Sequence, residues 1–375
     1  MEFSPTIHHK PKEECLMRTI ITQENEINKF ISENCEKSFD FLPSVPRKHI
    51  RSMLLSFMER GNSGKTADFA EYSHTHRTSS GHFLSKGKWD EHRLDQTQKR
   101  EIFSTVETQA LETGRPIYVS IDDTVCEKTK PSSKAKHPME KAGWHFSHKE
   151  GKQVYGYQFL GIHLGTGDAG LCYDLERYEK ESRTKVEMSQ DILRSLPETE
   201  ANVIVMMDCW YTSADFVHLC EERNFTLIGA VKTNRILYPD TSKKKMSAAD
   251  YAASLTEDQF HPVTMNGQTY LVHRYEGRLN KIKKAVVLLS YPAHSFGRKE
   301  ALRGYLCSDT TLTDEEILEH YSHRWKIEVL FRNYKRRFGI KTFMVRSALA
   351  IDRLLIIAVF AGFVFHALQW FICSR

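Results

Sequence analysis

The chain has 375 residues, too many for one simple core, so two or three domains are expected. With 27% charged and 40% hydrophobic residues it has the balance of an ordinary soluble globular protein, and its net charge of +5 permits nucleic-acid binding without demanding it. The eight cysteines, at 15, 35, 126, 172, 209, 220, 307 and 373, form no C-x2-C pair; this argues against a zinc site, and their scatter suits free thiols in a reducing cytoplasm.

Residues 1–43 are polar and weakly patterned, without the apolar core of a signal peptide; a helix over Met17–Phe39 is the one element they suggest. Pro43 and Pro46 punctuate the next boundary. Ile50, Met53, Leu54 and Phe57 then mark one face of a helix ending at Gly61. A short helix at Thr66–Tyr72, a basic turn His74-Thr-His-Arg77 and a longer helix from Asp90 to Thr113, stopped by Gly114, complete a helical segment over 44–113. Residues 44–100 carry 11 Lys/Arg against 6 Asp/Glu, plus five histidines. Short helices joined by basic turns suit a DNA-binding domain of helix-turn-helix type.

From residue 115 the periodicity changes. Ile117–Ile121 reads as a strand. A loop over 124–152 holds seven lysines against three glutamates, with Trp144-His-Phe146 inside it. Val154–Leu164 and Leu171–Tyr178 are strands joined across Gly165–Gly170, a hairpin signal. Lys185–Ser195 reads as helix, Val203–Met207 as strand, Ser213–Arg223 as helix and Phe225–Val231 as strand. This β-β-β-α-β-α-β order over 115–231 matches the ribonuclease-H fold, an α/β mixed sheet flanked by helices. Residues 232–312 interrupt it with strand-like segments such as Gln268–His273 and Lys284–Leu289, a β-rich insertion. Residues 313–375 return to helix and complete the core. Within them the run Leu354–Phe365 has 12 apolar residues, short of the roughly 20 needed to span a bilayer, and reads as a buried helix.

Three pieces place acidic residues where chemistry is done in such sheets, at strand ends: Asp122-Asp123-Thr124, Asp208-Cys-Trp-Tyr211, and a helix carrying Glu328. That helix begins with a capping-box pattern, Thr313-Asp-Glu-Glu316, and Gly339 suits its stop. At about 100° per residue, Tyr321, Arg324, Glu328 and Lys335 share an arc of roughly 60°. Ile317, Ile327, Leu330, Phe331 and Tyr334 lie on the neighbouring face and can dock it. Taken singly, strand-end aspartates often cap the next turn, and Arg–Glu pairs often decorate a solvated helix. Together, bare carboxylates at neighbouring strand ends would repel, and hard divalent cations such as Mg²⁺ or Mn²⁺ resolve this. Two such ions about 3.5–4 Å apart clamp the attacking and leaving oxygens of a phosphoryl displacement. Arg324 and Lys335 are then placed for substrate phosphates, and Tyr321 for a phosphate or a base. His323 points away from the stripe and reads as structural. Asp122 and Asp123 face opposite sides of the strand, so they do not share one metal equally.

On these residues the chain resembles the DDE transposases of the insertion-sequence-four superfamily. The Tyr-x2-Arg-x3-Glu-x6-Lys signature is complete at Tyr321, Arg324, Glu328 and Lys335, and the resemblance covers residues 44–370. It implies a ribonuclease-H-like core with a β-rich insertion before the last catalytic residue. It also implies catalytic and metal-binding carboxylates at Asp122 or Asp123, Asp208 and Glu328. An Asp-x-Thr reading favours Asp122 and an Asp-Thr reading Asp123. Two Mg²⁺ ions are implied, with Mn²⁺ able to substitute, as are transposon-end and target DNA as partners. The expected reaction is cut-and-paste through a DNA hairpin, by a homodimer in a synaptic complex. The expected setting is the nucleoid-associated cytoplasm of a bacterium or archaeon. The alternatives are another ribonuclease-H-like nuclease, such as a junction resolvase, or an inactive DNA-binding relic.

Overall fold

A computed structural model describes residues 24–61, 64–147, 150–167, 169–239 and 245–373. The expected helix over Met17–Phe39 lies partly outside them. Its described part is α1 (Glu24–Phe30), followed by single wider and tighter turns over Ile31–Cys35 and Glu36–Ser38. Then come α2 (Ser44–Glu59), α3 (Thr66–Ser73), α4 (Arg77–Lys86) and α5 (Glu91–Thr113). The basic turn stands at residues 74–76, Arg77 opens α4, and the His76 ring caps α4 by accepting from the Thr78 backbone N–H. Asp90 caps α5 through the Arg93 N–H, and Gly114 ends it at φ +64, where a side chain would be strained.

The sheet begins with β1 (Ile117–Glu127), β2 (Gly143–Ser147), β3 (Lys152–Thr166) and β4 (Ala169–Arg177). It continues through α6 (Lys185–Ser195), β5 (Val203–Met207), α7 (Ala214–Glu222) and β6 (Thr226–Val231). β4, β3 and β1 are antiparallel neighbours, and β1, β5 and β6 run parallel. This is the mixed sheet expected from the sequence. β1 differs from expectation in length. It does not stop at Ile121 but carries Asp122 to Glu127 on, because β3 pairs with it as far as Glu127↔Gly156.

β7 (Ile236–Leu237), β8 (Met246–Ser247), α8 (Ala248–Ser254), β9 (His261–Met265), β10 (Gln268–Leu279), β11 (Ile282–Pro292) and β12 (Arg303–Cys307) follow. These strands extend the core sheet: β12 pairs antiparallel with β6, and β11 and β10 continue outward. The chain ends in α9 (Asp314–Ser322), α10 (Trp325–Arg336) and α11 (Ala348–Cys373).

The single helix expected over Tyr321–Lys335 is therefore two. Around Ser322–Arg324 the backbone closes i→i−3 bonds, His323 to His320, Arg324 to Tyr321, Lys326 to His323 and Ile327 to Arg324, which tighten the turn. α10 stops three residues before Gly339, which takes φ +66 in the following loop.

α11 is longer than its 12-residue apolar run. It has 26 residues and is long and apolar enough to cross a membrane by length and composition. Most of that apolar surface is buried inside the fold. α11 packs on β4 and against α2, α4 and α5, and Phe39 meets Phe360 edge to face. One hydrophobic core thus runs from Ile27 through the sheet to Leu368. Arg353 of α11 is 5% exposed. It donates to the carbonyls of Phe83 and Leu84, closing the end of α4, and pairs with Glu91. Cys35, Cys126, Cys172, Cys209, Cys220 and Cys307 are free thiols.

Candidate active site

Two close approaches set α10 on the sheet. Asp122 sits opposite Gly161 in the β1–β3 register. A Cβ at Gly161 would lie 2.5 Å from the Phe331 ring, so glycine there lets α10 settle onto the strands. On the other side, Gly362 of α11 leaves room for the Tyr334 hydroxyl. Ile327, Leu330, Phe331 and Tyr334 are buried, as their pattern predicted. The face they leave carries Glu328 over the strand ends.

There Arg324 donates to Asp122 at 3.2 Å and to Glu328 at 2.7 Å. Asp208 follows β5, whose Met207 pairs with Ile121, so it stands beside Asp122. It accepts the backbone N–H groups of Trp210 at 2.8 Å and Tyr211 at 3.3 Å. Burial pushes the Asp122 carboxyl up to about 7; Arg324 opposes the shift, and Asp208 and Asp123 add to it. Burial works against the Arg324 charge, yet Tyr321, Asp122 and Glu328 raise its pKa above the ordinary guanidinium value. Tyr321 packs on Tyr305 with ring centroids 4.9 Å apart and lies beneath Arg324. Lys335 reaches the same side of β1, donating to the Thr124 hydroxyl at 2.6 Å and the Val125 carbonyl at 3.0 Å. His323 stacks on Tyr118 with ring centroids 4.2 Å apart.

Asp123 is not in this group. Its side chain takes the opposite face of β1, where one oxygen accepts from Gln158 and the other from Lys185 at 2.5 Å and Tyr211 at 2.7 Å. Gln158 in turn meets His145 at 3.2 Å. Sequence reasoning missed Gln158 and Lys185 as partners. Nothing local marks them; only the sheet brings residues 123, 158 and 185 together. Tyr211 was in view as the end of the Asp208-Cys-Trp-Tyr211 motif, but with no role.

Among the described residues no three His, Cys, Asp or Glu side chains converge closely enough to hold an ion. The donor chemistry nevertheless fits a hard divalent cation. Asp122, Asp208 and Glu328 offer only carboxylate oxygens, and burial raises the Asp122 carboxyl although it accepts from the Asp123 N–H at 2.8 Å and from Arg324 at 3.2 Å. The guanidinium bridges two of the three.

A mixed sheet of this strand order, flanked by helices and with Asp122 and Asp208 just past the parallel pairing of β1 and β5, has the layout of the ribonuclease-H-like class of fold. Within that class the chain belongs to the family of transposase DDE domains, whose match covers residues 114–362, from the start of β1 into α11. It is thus a DNA-cleaving and strand-transferring enzyme, of a kind that generally uses divalent metal. Among solved structures it is similar to a piggyBac transposase in a synaptic complex with hairpin DNA. The identity is 12%, the coverage 94% of this chain and 74% of that one, and the TM-score 0.45. No curated protein matches.

Proposed function

We propose that this transposase belongs to the insertion-sequence-four superfamily and holds two Mg²⁺ ions, or Mn²⁺, on Asp122, Asp208 and Glu328. The observation that carries the reading is that Asp122 and Glu328 meet on one guanidinium, 202 residues along the chain from Asp122. When bound, such ions activate water or a 3′-hydroxyl and stabilise the leaving oxygen. The chain's own groups do the positioning. Arg324 and Lys335 put positive charge on the side of β1 where the phosphates of a bound strand would lie, and Arg324 offers a planar fork suited to phosphate. Tyr321 backs Arg324. Asp123 anchors its surroundings instead of taking a metal.

The complete signature at Tyr321, Arg324, Glu328 and Lys335 supports a cut-and-paste reaction through a hairpin. It also supports a homodimer in a synaptic complex with transposon-end and target DNA, in a nucleoid-associated cytoplasmic setting. The helices of 44–113 and their connections present His74, His76, Arg77, Lys86 and Lys88 at the surface, which supports their binding the transposon end. The test uses a duplex carrying the inverted repeat that brackets the reading frame. It should be cleaved in Mg²⁺ or Mn²⁺ and left intact in EDTA, and Glu328→Ala and Asp208→Ala should bind it without cutting. Undiminished cleavage in chelator, or by either variant, would overturn the reading.

A further inference from the structure

Lys128 stands just past the end of β1 at Glu127. Its side-chain nitrogen donates to the carbonyls of Lys341 and Phe343, both at 2.8 Å, and lies over the Phe343 ring, 3.5 Å from the centroid. Among the described residues no carboxylate pairs with it, and burial pushes it down to about 8, with Cys126 opposing. An amine without its charge still has two N–H groups for two carbonyls, so the tie does not depend on the proton. Phe343 is 2% exposed, and its ring meets those of Tyr157 and Phe159 on β3. The segment that ends there is fastened to α10. Arg337 and Phe338 donate their N–H groups to the carbonyls of Asn333 and Tyr334, and Thr342 and Phe343 donate theirs to Gly339. Lys128 therefore ties the far end of the Asp122 strand to the chain that leaves the Glu328 helix.

α10 has a second tie to the same strand, through Lys335 to Thr124 and Val125. That tie competes with substrate, because an ammonium drawn to a DNA phosphate gives up bonds to β1. Lys128 spends its donors on the protein itself. We propose that Lys128 is a positioning residue for cleavage: it keeps α10 seated on β1, and Glu328 spaced from Asp122, when Lys335 turns to the DNA. The proposal rests on Asp122 and Glu328 holding divalent metal. A group that orients metal ligands without touching the ion acts on metal affinity.

The test compares Lys128→Met, which keeps the length and loses the donors, with Lys128→Arg, which keeps donors and a cation for the ring. Single-turnover cleavage of the inverted-repeat duplex is followed across a Mg²⁺ titration, and duplex affinity is measured in EDTA over a range of salt. Lys128→Met should need roughly 10-fold more Mg²⁺ for half-maximal rate, the low end for partners that orient metal ligands, and should approach the wild-type rate at saturation. Lys128→Gln takes its place if the methionine variant does not fold. Lys128→Arg should restore the wild-type requirement. All should bind the duplex as wild type does, with the same salt dependence. An unshifted Mg²⁺ requirement in Lys128→Met would overturn the proposal, whether or not the rate falls. So would weaker binding in EDTA with a shallower salt dependence, which marks a lost phosphate contact. A Glu328→Ala protein that cuts the duplex would instead overturn the metal-site reading beneath it.

Discussion

Asp122 and Asp123 are neighbours on one strand, yet they belong to different surroundings. On the Asp122 face stand a guanidinium shared with Glu328 and a lysine resting on Thr124. On the Asp123 face every oxygen has a buried or half-buried partner in Gln158, Lys185 and Tyr211. The strand's two-residue alternation separates them. One carboxylate, raised by burial, shares its guanidinium with Glu328 of α10. The other is held by side chains of β3, α6 and the turn after β5. Two equal residue types acquire different chemistry from the layer they face, α10 on one side and α6 on the other.

The comparison can be broken most directly at the pair itself. Asp122→Asn should reduce cleavage of the inverted-repeat duplex by on the order of 10³-fold or more, as removal of groups acting directly in a reaction does. Asp123→Asn should retain measurable cleavage, well above that of Asp122→Asn. Single-turnover rates on one duplex decide it, and equal losses would erase the distinction between the faces.

A stability comparison sharpens it further. Arg353 holds α4 to α11 through two carbonyls and Glu91, outside the matched domain's catalytic strands. Arg353→Ala should cost about 2–4 kcal/mol, because it leaves those acceptors without their donor and Glu91 unpaired while removing buried packing. Urea unfolding would read this, and a loss below about 0.5 kcal/mol would mean the helices do not depend on that tie.

The smallest expected effect is at Gly161. Gly161→Ala should destabilise by about 1–3 kcal/mol through overpacking against Phe331. Because Phe331 is one turn from Glu328, the same change should slow cleavage more than it lowers DNA affinity. Unchanged unfolding and unchanged cleavage together would show that α10 does not rely on this close approach.

Much of this was legible from local pattern. Lys185–Ser195 and Val203–Met207 match the elements read from periodicity, and the Thr313–Glu316 box caps α9 as written. The alternation rule also foretold that Asp122 and Asp123 would part. It could not say which would face Glu328, since that depends on how α10 seats against Gly161. Nor could it show that β12 pairs with β6, because five residues of moderate hydrophobicity carry no record of a partner more than 70 positions earlier. The break at His323–Arg324 was hidden because both residues keep near-helical dihedrals.

The dispersal of the three carboxylates along the chain has a temporal consequence. β12 must come back to the open edge of β6 before α9 and α10 can return across the strand ends. At about 5–20 residues per second of synthesis, the stretch of about 120 residues between Asp208 and Glu328 takes roughly 6–24 s to emerge. Through that interval a ribosome holds a sheet with two acids and no third. The set of three acids proposed for cleavage is therefore complete only once Glu328 has emerged, and a product terminated before it would lack the third.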